Sequence, residues 1–370
     1  MQPSAVDSMD KYNENLTDVK EIFRKGDLRA IPKPLLKWYD NNRRILPWRE
    51  DPAPYRVWVS EIMLQQTRVE AVKPYFQRFM ETLPDIAALA QAPEEVLLKL
   101  WEGLGYYNRV RNLQKAAIQI MEDYGGVMPD SYEELLKLKG IGSYTAGAVS
   151  SIAYGKPNPA VDGNVLRVAA RLDNDFTPIT DAKFKKQTRE RFAALMPSDR
   201  PGDLNQSLME LGATVCLPNG APRCDDCPIQ HLCEGFHRGN AAVLPLRAAK
   251  KARRVENRTV LVVRCGQLVG LRQRPQKGLL AGLWELPSLD GHLSPDELRA
   301  ALTEMGWSVR KLLSLRPAKH IFTHVEWHMN GVYVELDAPA PALTFVTPAE
   351  LRDAYALPSA FRSFVSVLED

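Results

Sequence analysis

The chain has 370 residues, of which 45% are hydrophobic and 25% charged, and a formal net charge of +3. The length exceeds one ordinary core and suits two domains, and the composition is that of a soluble folded protein. No apolar run is long enough to span a bilayer, and the opening MQPSAVDSMDKYNENL lacks the apolar stretch of a secretory signal. A charge this mildly basic says little about nucleic acid. Arg68, Arg109, Arg111 and Arg167 fall in helical stretches, and Lys250, Lys251, Arg253 and Arg254 form a run. The expectation is a soluble monomer, cytoplasmic and nucleoid-associated in a bacterium, nuclear or mitochondrial in a eukaryote.

In chain order, residues 1–30 are polar without an apolar period and read as a weakly ordered extension. From Pro34 to about Phe236 the pattern is helical. VWVSEIMLQQTRVEAVKPYFQRFMETL (57–83) repeats apolar residues at three- and four-residue steps. PEEVLLKLWEGLG (93–105), NRVRNLQKAAIQIMEDYGG (108–126) and SYEELLKLKGIG (131–142) each close on glycine, the usual helix stop. Residues 31–235 are therefore expected to form an all-α domain. Residues 236–256, with Pro245 and the basic run, read as an interdomain connector. Residues 257–370 change pattern. RTVLVVRCGQLVGLRQR (258–274) predicts two strands around a Cys-Gly-Gln turn. LSPDELRAALTEMGW (293–307) predicts one helix, capped by Ser294 and stopped at Gly306. HIFTHVEWHMNGVYVEL (320–336) alternates as strands again, so this domain is α+β.

Four of the five cysteines, Cys216, Cys224, Cys227 and Cys233, crowd into a short stretch. A disulfide framework would spread them, so the crowding points to a metal or cluster site. Cys265 stands alone in a strand and reads as a small buried residue. In LKGIGSYTAGA (138–148), Gly140 and Gly142 make a tight hairpin between helices, where backbone N–H groups favour an anion; the same spacing also serves plain helix junctions. In AVDGNVLRVAARL (160–172), Asp162 precedes a helix, the ordinary place of an N-cap. The intervening helix could return it to the hairpin.

Together these motifs resemble the helix-hairpin-helix DNA glycosylase superfamily that contains endonuclease III. The resemblance implies a DNA-backbone grip at Gly140 and Gly142, an active-site Asp162, and a [4Fe–4S] cluster on the four cysteines, although C-x2-C also serves zinc. Seven residues separate Cys216 from Cys224, where the superfamily has six. LPWREDPAPYRVWVSEIMLQQTRV (46–69) and WEGLGYYNRVRNL (101–113) are similar to MutY-type adenine DNA glycosylases. They supply Glu61, which endonuclease III lacks. Tyr144 stands where bifunctional glycosylase-lyases carry a Schiff-base lysine. GLLAGLWELP (278–287) resembles a Nudix hydrolase. Aligned on Glu304, Met305 and Gly306, however, Ala300 and Thr303 occupy two of the three glutamate places, and one carboxylate is a poor Mg²⁺ site. The Nudix-like fold is expected without the hydrolase. Phe322, Thr323 and His324 resemble the Phe-Ser-His loop of MutY-type enzymes, whose second domain recognises oxidised guanine.

The resemblance implies a monofunctional enzyme that removes adenine mispaired with 8-oxoguanine, or guanine, from double-stranded DNA and leaves an abasic site. The adenine must first be flipped out of the stack. Glu61 would protonate its N7, held protonated by burial near Val59, Met63 and Leu64. Asp162 would stay ionised and stabilise the cationic sugar, with Tyr144 hydrogen-bonded nearby and Asn164 positioning water. Trp48, Arg49 and Gln206 would line the adenine pocket. Gln66 and Tyr106 would wedge the stack, Thr67 and Leu104 would contact the oxidised guanine, and Thr323 would accept from its N7–H. Without the resemblance, Glu61 reads as a surface helix glutamate, and Tyr106 and Phe322 as packing residues. The rival readings are a thymine or uracil mismatch glycosylase, a Nudix nucleotide hydrolase and a non-catalytic DNA-binding module. Glu61 and the second domain oppose the first, the missing carboxylates the second, and the joint presence of Glu61 and Asp162 the third.

Overall fold

A computed structural model of the protein describes residues 28–247 and 252–368; nearly all of the N-terminal extension, and Lys250 and Lys251 of the basic run, lie outside the described residues. Contacts sort the described chain into two units, 28–61 with 128–247 and 62–127 with 252–368.

The first unit is helical. Its core is helix Gly163–Leu172, buried from Val165 onward and packed against helices Pro32–Asn42, Ala182–Ala193 and Pro201–Thr214 through Leu35, Phe184, Phe192, Leu208 and Leu211. A helix enclosed this far must satisfy its own polar side chains. Arg167 donates to the carbonyls of Gly212 (2.7 Å) and Cys216 (2.8 Å), and Arg171 to those of Leu244 and Leu217 (both 2.9 Å). Gly212 permits a close approach: a Cβ there would stand 2.6 Å from the Asn164 Cβ. The predicted hairpin lies between helices Tyr132–Lys137 and Ser143–Ile152. The Ile141 amide donates to the Leu138 carbonyl (3.1 Å), closing a turn that places Gly140 at φ +79°, as a type II turn requires of its third residue.

The second unit combines helices Val69–Thr82, Ile86–Gln91, Glu94–Leu100 and Asn108–Asp123 with a mixed sheet. Its strands are β1 (Arg254–Cys265), β2 (Leu268–Gln273), β3 (Trp284–Glu285), β4 (Ser288–Asp290), β5 (Val309–Ser314), β6 (Ala318–Ile321), β7 (Val325–Leu336) and β8 (Thr344–Val346). The main path runs β3-β2-β1-β7-β5; β1 and β7 are parallel, and the remaining pairings are antiparallel. β1 is central and covered on both faces. Val260 and Val262 join a core with Trp327, Met329, Phe361 and Phe364, while Leu261 and Val263 join another with Leu298, Leu302 and Trp307. This explains its unbroken apolar run in place of alternation. Helix Pro295–Glu304 begins with the predicted Ser294, in a capping box with Glu297. Helices and sheet are joined within this unit by Lys99 to the Tyr355 carbonyl (3.1 Å), the Leu357 amide to Glu102 (2.9 Å) and Arg111 to the Ala281 carbonyl (2.8 Å).

Two expectations change. The helical signal over 57–83 is interrupted: one helix ends at Leu64, the next starts at Val69, and Gln66 takes φ +61°. Cys265 is half-buried at the end of β1 rather than buried within it. Among the described residues no helix is long and apolar enough to cross a membrane.

Candidate active site

Helix Pro54–Leu64 carries Glu61, which is buried with 6% of its surface exposed. The Tyr144 hydroxyl, from the first turn of helix Ser143–Ile152, donates a hydrogen bond to Glu61 Oε2 and stands 3.8 Å from the Met209 sulfur. Burial pushes the Glu61 carboxyl up to about 7, helped by the charge of Asp162 and opposed by the Tyr144 hydrogen bond and by Arg49. A carboxyl with such a pKa carries a proton near neutrality and can give it up.

Asp162 is both N-cap and site residue. Oδ1 accepts from the Val165 amide (2.8 Å) and Oδ2 from Asn164 Nδ2 (2.7 Å). Burial raises its pKa, against the Val165 amide, Asn164 and the Arg167 charge. Arg167 Nη2 in turn donates to Asn164 Oδ1 (2.8 Å), so the orientation of the Asn164 amide is fixed from both ends.

The Arg49 guanidinium donates to Glu210 Oε2 (2.8 Å) and to the Arg44 carbonyl (3.2 Å), and lies 5.6 Å from the Tyr39 ring centroid. Burial pushes the Glu210 carboxyl up, but Arg44 and Arg49 outweigh it and hold it below the usual carboxylate range. Gln206 precedes Met209 and Glu210 by three and four residues on helix Pro201–Thr214, which puts all three on one helix face. Trp48 is buried in helix Pro47–Glu50.

The four clustered cysteines line one pocket with Val168, Leu172, Leu211 and Ile229. Arg171 Nη1 lies 3.1 Å from Cys216 Sγ, and burial pushes the Cys227 thiol up to about 12 and Cys233 to about 11. Among the described residues no three His, Cys, Asp or Glu side chains are placed as they stand to hold one metal ion. The extra residue between Cys216 and Cys224 falls in a loop closed at its base by the Arg223 amide on the Val215 carbonyl (2.9 Å).

In the second unit, Gln66, Tyr106, Phe322, Thr323 and His324 line a single pocket. Tyr106 is 49% exposed, and its hydroxyl is 3.0 Å from the Thr323 hydroxyl at the β6–β7 hairpin tip. Phe322 is half-buried, edge-on to Trp327 at 4.9 Å, so it packs as well as faces the pocket. Thr67 and Leu104 are not among the lining residues; Leu104 is buried. Gly140 and Gly142 are exposed.

The helical hairpin, the aspartate beyond it and the cysteine loop define a helix-hairpin-helix base-excision repair protein. Residues 59–195 match the HhH-GPD superfamily of base excision DNA repair proteins, and residues 259–367 match the NUDIX domain. The chain is similar to a thermostable thymine-DNA glycosylase (28% identity, TM-score 0.51, 57% of this chain and 97% of that one). It is also similar to an endonuclease III trapped as a covalent DNA intermediate (26%, TM-score 0.51, 59% and 99%). Along 93% of its length it is 35% identical to the adenine DNA glycosylase of Rattus norvegicus, covering 79% of that protein. The chain belongs to the adenine DNA glycosylases. It is an enzyme of base-excision repair with a Nudix-like second part.

Sequence reasoning missed Arg44 and Glu210, which hold Arg49, and Gly212, which lets Asn164 approach. It placed Arg109 and Arg167 by charge alone, whereas both spend their guanidinium groups on internal carbonyls. Nothing in sequence marks a carbonyl acceptor, since every residue has one.

Proposed function

We propose that the enzyme is a monofunctional glycosylase that hydrolyses adenine from mispairs with 8-oxoguanine, and more weakly with guanine. The observation that carries the chemistry is the buried Glu61 carboxyl beside the half-buried Asp162, with a tyrosine, not an amine, hydrogen-bonded to Glu61. Glu61, poised at about 7, delivers a proton to N7 of the flipped adenine, turning a poor leaving group into a neutral one. Asp162 faces the sugar as it becomes cationic. Its pKa is raised in the free protein, but a developing positive charge beside it favours the carboxylate. Asn164, clamped between Asp162 and Arg167, presents its amide to the attacking water. Trp48, Arg49 and Gln206 line the adenine pocket. Tyr144 cannot form a Schiff base, so strand cleavage is not expected.

Lesion reading is assigned to the second unit. Tyr106 and Gln66 enter the stack and Thr323 accepts from the N7–H that 8-oxoguanine has and guanine lacks; the expected guanine contacts of Thr67 and Leu104 are not carried over, since neither lines this pocket. The Tyr106–Thr323 contact supports this, because it brings a stacking ring and a hydrogen-bonding hydroxyl to one pocket. Gly142 is extended, and a Cβ there would meet nothing within 4 Å, so internal packing does not demand glycine. An approaching DNA phosphate at the helix start would.

The cysteines fit a [4Fe–4S] cluster: four thiols line one apolar-walled pocket with Arg171 beside Cys216. Cys216, Cys224, Cys227 and Cys233 would hold it, and it would supply a cross-link rather than a step in base release. About four irons per chain are expected, and zinc without iron on metal analysis would overturn this assignment.

The deciding experiment is single-turnover base release from duplexes with adenine opposite 8-oxoguanine, guanine, cytosine or thymine, with borohydride trapping alongside. Fastest release opposite 8-oxoguanine and no trapped adduct are expected. Equal rates on all four, or release of thymine or uracil instead, would defeat the reading.

A further inference from the structure

One guanidinium ties together the two segments that the proposed function sends into the DNA stack. Arg109, in the first turn of helix Asn108–Asp123, donates through Nη1 to the carbonyls of Ile62 (2.7 Å), Met63 (3.1 Å) and Gln65 (2.7 Å). Through Nη2 it donates to those of Leu104 (3.0 Å) and Gly105 (3.1 Å). Its Nε is buried, and the group lies 5.3 Å from the Trp101 ring centroid and 5.6 Å from that of Tyr106. Burial lowers its pKa to about 10, which still leaves it charged at neutral pH.

The carbonyls it holds are telling. Four non-glycine residues among those described have positive φ, and three of them, Gln66, Tyr106 and Leu280, line the same pocket. Side-chain-bearing residues avoid this region, and they persist there only where the surroundings over-determine them. The φ angle of a residue is the rotation that relates it to the preceding peptide plane. Arg109 fixes the preceding carbonyl in two of these cases: Gln65 before Gln66, and Gly105 before Tyr106. The same grip accounts for the helix break after Leu64, since the Ile62, Met63 and Gln65 carbonyls are drawn to a side chain.

We propose that Arg109 is a positioning residue for base extrusion: its planar fork locks Gln66 and Tyr106 in the left-handed, exposed conformation from which they enter the stack, and it does not bind a DNA phosphate. The proposal rests on the reading that these two side chains touch the stack. Lysine keeps the charge but lacks the planar fork, so it cannot reproduce five donor contacts on both segments.

The test uses the full chain and a duplex with adenine opposite 8-oxoguanine and a neighbouring 2-aminopurine, whose fluorescence rises on unstacking. For Arg109→Lys and Arg109→Met, the rise at saturating protein should fall below about a third of wild type and single-turnover base release should slow at least about tenfold. Affinity for undamaged duplex and its salt dependence should stay as in wild type. A merely stabilising arginine would not dim the signal of a folded, saturated complex. Wild-type brightening in Arg109→Lys would overturn the proposal, as would a loss of about one unit of salt slope in Arg109→Met, the mark of a phosphate contact. If Arg109→Met fails to fold, Arg109→Lys decides. Gln66→Ala and Tyr106→Ala are run beside them. If these dim the signal and Arg109→Lys does not, positioning alone fails; if they leave it unchanged, the wedge reading fails and takes the proposal with it.

Discussion

Around Glu61 and Asp162, order comes from burial: two carboxyls withdrawn from water, each gripped by neighbours, with helix Gly163–Leu172 enclosed behind them. Around Gln66 and Tyr106, order comes from strain held in place: exposed side chains on disfavoured backbone, kept there by carbonyls drawn to one arginine. The difference follows from the tasks. Proton transfer needs a shifted pKa, which burial chiefly supplies here, whereas the proposed reading of a mispair needs side chains outside the core that do not collapse onto it. Substitutions in the first region should change the rate of chemistry on every substrate. Those in the second should change which substrate is chosen.

The largest expected effect is on chemistry. Glu61→Gln and Asp162→Asn keep shape and remove the acid or the charge. Each should slow single-turnover release by at least about 100-fold while duplex binding persists. A variant within a few-fold of wild type would break the comparison at its first term.

The pH profile sharpens it. Activity should fall on the acid side because Asp162 must be ionised. Glu61 must be protonated to act, so activity should also fall about tenfold per pH unit above about 7. The Tyr144 hydrogen bond lowers that pKa, so Tyr144→Phe should move the alkaline limb to higher pH; a shift the other way would contradict the assigned donor.

Replacing Phe322, Thr323 and His324 together should bring the rates opposite 8-oxoguanine and guanine closer while cleavage survives. This is cleaner than truncation near Arg254, which would also strip the sheet from helices Glu94–Leu100 and Asn108–Asp123 of the same unit. Thr323→Ala alone removes one neutral hydrogen bond, roughly 0.5–1.5 kcal/mol, and should cost discrimination only a few-fold. Full retention of the preference in the triple variant would return lesion reading to the Gln66 segment.

A separate effect is on stability. The folded-state pKa of Glu61 lies above the unfolded one, so its ionisation costs stability that grows from about pH 4.5 and is complete above about 7. Glu61→Gln should therefore melt higher than wild type at pH 8, with the gain gone by pH 4. Thermal melts at the two pH values check both sign and window.

The Gly140 turn, the Ser294 cap and the strand pairing on either side of Thr323 were legible in the residues themselves, whereas Glu61 and Asp162 were singled out only through the resemblance. The sequence hid what depends on backbone. The helix break at 65–68 contains no glycine or proline, and apolar spacing continues across it. Arg109 and Arg167 stood out only as charges in helical stretches, because their acceptors, main-chain carbonyls, leave no trace in residue identity. Gly212 lies in an unremarkable helical stretch, and only the distance to Asn164 shows why no side chain fits.

The loop between Cys216 and Cys224 has a practical use. Its base is clamped at Val215 and Arg223, and Pro218, Asn219 and Gly220 are exposed. Added length there is decoupled from the thiols on either side and costs little closure entropy. The turn at Asn219 and Gly220 is thus a ready attachment point for a fluorophore or affinity handle.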